Sequence, residues 1–194
     1  MVRGRPEGLD GDPTDRGLWQ RAADGDQDSF GVLFDRHAEA VWNHAYRLTG
    51  SWSTAEDVTS ATFLAAWRKR GELTLVRDSA LPWLYAVAGN LARNEFRRLG
   101  RFRRVLTRLP RTDTVDDHAE DVAGAVDDDR RLREVLAAVN RLPSAEREAV
   151  QLCLLGELST ADAAAALGVA ETSVRSRISR ARSRLRGMVG QEVI

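Results

Sequence analysis

The chain has 194 residues, 43% of them apolar, and 29 basic against 29 acidic side chains, for a formal net charge of +0. That is enough for one or two small domains with real cores, and it excludes a uniformly basic glue for nucleic acid. The longest apolar run, Leu81 to Ala88, is far too short to span a bilayer.

The charges are segregated. Arg93 to Arg104 and Arg175 to Arg186 are basic, while Asp113 to Asp129 is acidic, a pattern that suggests two anion-binding surfaces joined by a repelling connector.

Residues Met1 to Asp15, rich in Gly, Pro and Asp, read as a flexible tail with no apolar signal core. With no membrane segment in view, the expectation is a soluble, cytoplasmic protein. A first helix is predicted over Leu18 to Ala23. A second starts near Asp28, with Phe30, Leu33, Phe34 and His37 toward a core. It passes into a stretch holding Val41, Trp42, Ala45, Tyr46 and Leu48 that Gly50 ends. Ser53 and Glu56 have capping-box spacing and open the next helix. Its apolar side is Val58, Thr62, Phe63, Ala66 and Trp67. A loop from Gly71 to Ser79 follows, with Thr74, Arg77 and Ser79 as its polar residues.

Pro82 suits the first turn of a further helix, where its missing N–H is not needed. That helix turns Trp83, Leu84, Val87 and Leu91 inward and Asn90, Arg93, Asn94, Arg97 and Arg98 outward. From Arg101 to about Asp127 the pattern dissolves into an unpacked acidic linker. Periodicity returns at Leu132, Val135, Leu136 and Val139. Leu142-Pro143-Ser144 reads as a stop followed by a fresh N-cap, and Ala145 to Leu155 as the next helix. Cys153, the only cysteine, lies in an apolar run and reads as a buried core thiol. No alternation of period two marks a strand, so the expected fold is all-α.

The most informative stretch is Leu158 to Arg186. Ser159 is an N-cap and Asp162 sits near the positive end of the helix dipole. Gly168 falls where the helix must end at positive φ. A second helix begins near Glu171 and Thr172, with Val174, Ile178, Ala181 and Leu185 as its apolar stripe. Its other faces carry Arg175, Arg177, Arg180, Arg182, Arg184 and Arg186, with Ser173, Ser176 and Ser179 between them. A short helix, a glycine turn and an arginine- and serine-rich helix form the helix-turn-helix layout, which points to DNA. The docked stripe and the scarcity of neighbouring acids argue against a merely solvated basic helix.

Catalytic patterns are missing. His37, His44 and His118 lack zinc-type neighbours. There is no phosphate loop, nucleophile elbow or glycine-rich dinucleotide turn. The expectation is no metal, no cofactor, no small-molecule substrate and no enzymatic activity.

Ala55 to Arg68 resembles the region-two helix of bacterial RNA polymerase sigma factors of the extracytoplasmic-function group. Pro82 to Asn94 is similar to the next helix of the same domain, which reads the minus-ten promoter element. Leu158 to Arg186 is similar to region four, which reads the minus-thirty-five element. Asp28 to His37 resembles the start of region two.

The resemblance implies two small helical domains joined by a flexible linker: a tail at 1–15, region two at 16–104, an acidic linker at 105–127 and region four at 128–188. It implies core RNA polymerase, promoter DNA and an anti-sigma factor as partners. It places polymerase contacts on Glu56, Asp57, Ser60 and Leu64. Minus-ten contacts fall on Asn90, Arg93, Asn94, Arg97 and Arg98, and minus-thirty-five contacts on Ser173, Arg175, Ser176, Ser179 and Arg180. Thr59-Ser60-Ala61 stands where the family often has Val-Gln-Glu, and Ala170 and Thr172 stand where it often has Pro and Gly. The residues alone leave a second reading open, a free-standing helix-turn-helix regulator that binds duplex DNA as a dimer.

Overall fold

The structure, a computed structural model, describes residues 13–75, 78–106 and 123–189. Among these there are helices and no strands. Most of the tail, Arg77 and residues 107–122 of the linker expected at 105–127 lie outside the described residues; the linker's two ends are helical, since α4 reaches Leu106 and α5 begins at Ala123.

Helix α1 runs Asp15–Ala23, α2 Gln27–Thr49, α3 Trp52–Lys69 and α4 Leu81–Leu106. Their starts follow local chemistry. Thr14 caps α1 by accepting from the Gly17 amide, and Asp26 caps α2 by accepting from the amides of Asp28 and Ser29. Gly50, at φ 63°, ends α2 as the sequence implied. The cap of α3 does not sit where expected. Ser51, not Ser53, is the N-cap and accepts from the Thr54 amide, and Glu56 instead takes the indole N–H of Trp52 at 2.9 Å.

These four helices enclose a core of Leu18, Trp19, Leu33, Val41, Val58, Phe63 and Leu84, each at most 5% exposed. Phe34, expected toward the core, is more than a third exposed, as are Tyr46, Val135 and Leu154. Phe34 only leans edge-on against Phe63.

The second unit is α5 Ala123–Arg141, α6 Ser144–Val150, a π-helical turn at Gln151–Leu155, α7 Thr160–Leu167 and α8 Glu171–Val189. Ser144 is the first residue of α6 and makes no capping bond; Pro143 holds the cap position. Arg147 serves the preceding turn instead, donating to the carbonyls of Asn140 and Leu142. Ser159 caps α7, and Gly168, at φ 64°, ends it, as expected. Cys153 is half-buried, and burial pushes its thiol pKa up.

The two units share a core. Leu152, Ala163, Ala164, Val174 and Ile178 join the same apolar cluster as Leu84 and Ala88, while Val139, Leu142, Val150 and Ala181 form a small cluster of their own. At the seam Arg47 donates to the Leu155 carbonyl at 3.0 Å and to Glu157 at 2.9 Å. A Cβ on Gly156 would lie 2.9 Å from Tyr85 Cδ2, so only glycine fits this approach.

His44, fully buried, stacks on the Tyr85 ring at 4.1 Å. Its ring nitrogens have no partner in hydrogen-bonding geometry. Burial lowers its pKa to about 4, an effect the backbone of Leu155 and Tyr85 offsets only in part. The unfolded chain protonates His44 near pH 6.5 and the folded chain only near 4. The folded state therefore binds fewer protons in that window. His44 costs nothing above pH 6.5, and stability falls as pH drops from 6.5 toward 4, by roughly 2–3 kcal/mol in all. A melting series over this range should show a several-degree acid loss that His44→Phe largely removes. Parallel curves for the two proteins would contradict the assignment.

Candidate nucleic-acid interface

Three surfaces carry the residues singled out above. The first is a row on α3. Glu56, Asp57, Ser60 and Leu64 are all exposed, Leu64 by 48%. Their i, i+4, i+8 spacing sets Glu56, Ser60 and Leu64 along one ridge with Asp57 beside it. Trp52 extends the ridge toward the helix start and is 65% exposed. It meets Trp42 edge-on at 4.5 Å, and Trp42 stacks on Tyr46. This aromatic group was missed in the sequence because Trp42 and Tyr46 share a helical period with core residues.

The second surface is the outer row of α4. Asn90, Asn94, Arg97 and Arg98 are exposed and Arg93 is half-buried. Arg98 pairs with Glu95 at 3.1 Å. Asn90 also lines a cavity with Glu148 and Gln151, where α4 faces the π-helical turn. Burial first, then Arg93 and more weakly Arg97, lower the pKa of the buried Arg147, and Glu148 opposes them.

The third surface is α8. Its apolar stripe is docked as expected: Val174, Ile178 and Ala181 are buried. The basic residues divide onto two faces. Thr172, Ser173, Ser176, Arg177, Ser179 and Arg180 line one open groove. Arg175, Ser179, Arg182 and Arg186 line another, with Thr160 at its edge. Arg175 and Arg180 therefore face different ways, and Arg177 belongs with Ser173, Ser176 and Arg180. The spacing i, i+3, i+4, i+7 from Ser173 already contained this grouping.

The expectation that these arginines lack acidic neighbours also needs correction. Arg175 pairs with Glu171 at 2.7 Å, and Arg184 pairs with the buried Glu146 at 3.0 Å, with Arg180 at 4.0 Å from the same carboxylate. Glu146 lies far away in sequence, on α6, and the fold brings it under α8.

No group of three or more His, Cys, Asp or Glu side chains able to hold a metal occurs among the described residues. No described helix is long and apolar enough to cross a membrane.

Comparison with known proteins fits this geometry. The family model for Sigma-70 region 2 matches residues 33–102, and that for Sigma-70 region 4 matches residues 132–185. The chain is 35% identical over 150 residues to the ECF RNA polymerase sigma factor SigL of Mycobacterium tuberculosis, covering 76% of this chain and 81% of that one. It is 34% identical over 185 residues to the RNA polymerase sigma factor NccH of Alcaligenes xylosoxydans, covering 92% and 96%. The solved structure of CnrH in complex with the cytosolic domain of CnrY superposes with a TM-score of 0.60 at 27% identity, over 91% of this chain and 97% of that one. Two region models in this order, on helices that expose the expected faces, displace the reading as a free-standing regulator. The chain belongs to the extracytoplasmic-function sigma factors of bacterial RNA polymerase.

Proposed function

We propose that this sigma factor divides its work among the three surfaces, within a region-two unit at 16–104 and a region-four unit at 128–188 joined by the acidic segment 105–127. The α3 ridge of Glu56, Asp57, Ser60 and Leu64 docks on a basic surface of core polymerase. Asn90 and Asn94 on α4 take the bases of the opened minus-ten element, and Arg93, Arg97 and Arg98 hold its backbone. The groove of Ser173, Ser176, Ser179 and Arg180 reads the minus-thirty-five duplex, with Arg177 added to the set. Arg175, Arg182 and Arg186 on the neighbouring face hold phosphates. A regulatory protein of the anti-sigma kind sequesters the chain in the cytoplasm, as the cytosolic domain of CnrY is found on CnrH. The chain itself performs no catalysis.

The observation that carries this reading is the groove on α8. Two arginines and three serines line a concave, open face of a helix whose opposite stripe is docked. Short hydroxyl side chains let the helix approach base edges, and an arginine donating twice to guanine is worth about 1–3 kcal/mol of discrimination.

The test uses holoenzyme on a promoter selected in vitro from random sequence. Arg177→Ala or Arg180→Ala should change the ranking of single-base substitutions at the minus-thirty-five element, costing about ten- to a hundredfold at the base contacted. Arg182→Ala should weaken all templates alike and flatten the salt dependence. If Arg177→Ala and Arg180→Ala both leave every substitution ranked and spaced as before, the groove does not read bases.

A further inference from the structure

Asp15 was expected to end a flexible tail. It is instead the first residue of α1 and only 3% exposed. One carboxylate oxygen accepts from Arg36 at 2.6 Å. The other lies 2.5 Å from His37 Nε2 and accepts the Ala80 backbone N–H at 2.8 Å. Burial alone pushes this carboxyl up in pKa, but the bonds from His37, the Ala80 amide and Arg36 outweigh it and hold the group well below the usual carboxylate range. A charge buried this deeply is costly unless fully paired. Here the pairing ties α1 and α2 to the residue that immediately precedes α4.

Asp15 is one of four links from α1 to the same stretch of chain. The Trp19 indole N–H donates to the Leu73 carbonyl at 3.0 Å. Arg16 pairs with Asp78 at 3.3 Å on the surface. Arg70, at the end of α3, donates to the Ala22 carbonyl at 3.0 Å. The Trp19 ring also meets Trp83, in the first turn of α4, edge-on at 5.5 Å. A nine-residue helix thus holds both ends of the connection between α3 and α4, although it lies outside the segment matched by the region-two family model.

We propose that α1 is a brace that sets the position of Leu73, Asp78 and Ala80 and the entry of α4, making Asp15, Arg16 and Trp19 positioning residues for capture of the minus-ten bases. The proposal rests on the reading of α4 given above. The described parts of the connection from α3 to α4 bond to their own helices at Lys69 and Leu81, and α1 adds bonds at Leu73, Asp78 and Ala80. The connection's carbonyls and amides are aimed by bonds to side chains nine-tenths or more buried, at Asp15 and Trp19. Displacing it shifts the N-terminal turn of α4, the helix that carries Asn90, and none of Leu73, Asp78 and Ala80 is among the residues assigned above to polymerase or to the minus-thirty-five duplex.

Trp19→Phe keeps an aromatic ring on the Trp83 side and removes the bond to Leu73 together with part of the buried ring volume, which the folded-protein control accounts for. Arg16→Asp and Asp78→Arg break an exposed pair, and the double exchange restores it with the polarity reversed. Holoenzymes carrying each are assayed on the selected promoter in duplex form and in a form pre-melted across the minus-ten element. Core affinity and circular dichroism serve as controls, and Asn90→Ala runs in parallel.

Trp19→Phe should lower duplex output about five- to tenfold, as expected when a buried carbonyl loses its donor. It should compress the ranking of minus-ten substitutions, leave minus-thirty-five ranking unchanged and recover on the pre-melted template. Each single exchange at the surface pair should cost about two- to threefold, and the double exchange should recover most of it. A purely structural role would instead lower output on all templates in proportion to folded protein, and that result overturns the proposal. So does unchanged minus-ten ranking in Trp19→Phe when Asn90→Ala alters it, which leaves the reading of α4 standing. If Asn90→Ala also leaves the ranking unchanged, both fall together.

Discussion

Asp57→Arg is expected to reduce assembly with core polymerase by at least about tenfold while the chain stays folded. Asp57 is exposed beside the Glu56, Ser60 and Leu64 ridge, and no described ion pair holds it in place. Reversal therefore removes nothing from the fold. At an interface with a basic partner it exchanges an attraction for a like-charge contact, which costs several kcal/mol when the groups are close. The effect should weaken as salt is raised, because exposed charges are screened over about 8–10 Å. A pull-down against purified core, with circular dichroism as control, measures it. Unchanged capture by a folded Asp57→Arg protein would move the polymerase contact off this ridge.

Asn90→Ala should leave core capture and minus-thirty-five ranking intact and depress run-off from duplex promoters by about ten- to a hundredfold. That range corresponds to about 1–3 kcal/mol, the cost of leaving a polar partner unpaired. The chain carries no phosphate loop, so binding energy has to offset the few kcal/mol needed to take a base out of the stack. An asparagine side chain can donate and accept at one base edge, and Asn90 is exposed on the row that also carries Asn94, Arg97 and Arg98. Thymine reactivity to permanganate in the assembled complex should fall in parallel, and a pre-melted template should restore most of the output. Normal reactivity and normal run-off in the variant would remove Asn90 from strand opening.

The helix-turn-helix was legible because each of its signals is local. Ser159 needs only the amide of Asp162, Gly168 needs only its own φ, and the stripe of Val174, Ile178 and Ala181 repeats within one helix. The outward row of α4 was legible for the same reason, whereas the ridge of α3 came only from the family resemblance.

What sequence reading missed depends on distant partners. Asp15 sits in a Gly-, Pro- and Asp-rich context and looks like tail, and only the folded chain brings His37 and the Ala80 amide onto it. Arg184 looks free until α6 delivers Glu146 beneath it. The cap of α3 falls on Ser51, which leaves Ser53 inside the helix, and Glu56 accepts from the Trp52 indole instead. The shared seam, with His44 against Tyr85 and Arg47 on Leu155, joins residues more than forty apart in sequence and leaves no periodic trace.

The central claim is that this chain directs core polymerase to promoters of its own. Run-off transcription with purified core, with and without the chain, on a promoter that the holoenzyme selects from random sequence, tests it most directly. The account predicts a discrete transcript that requires the chain, disappears with substitutions in either promoter element, and is lost with Asp57→Arg. Tight, sequence-specific binding of the chain alone to duplex DNA, with no chain-dependent transcript from core polymerase, would contradict it.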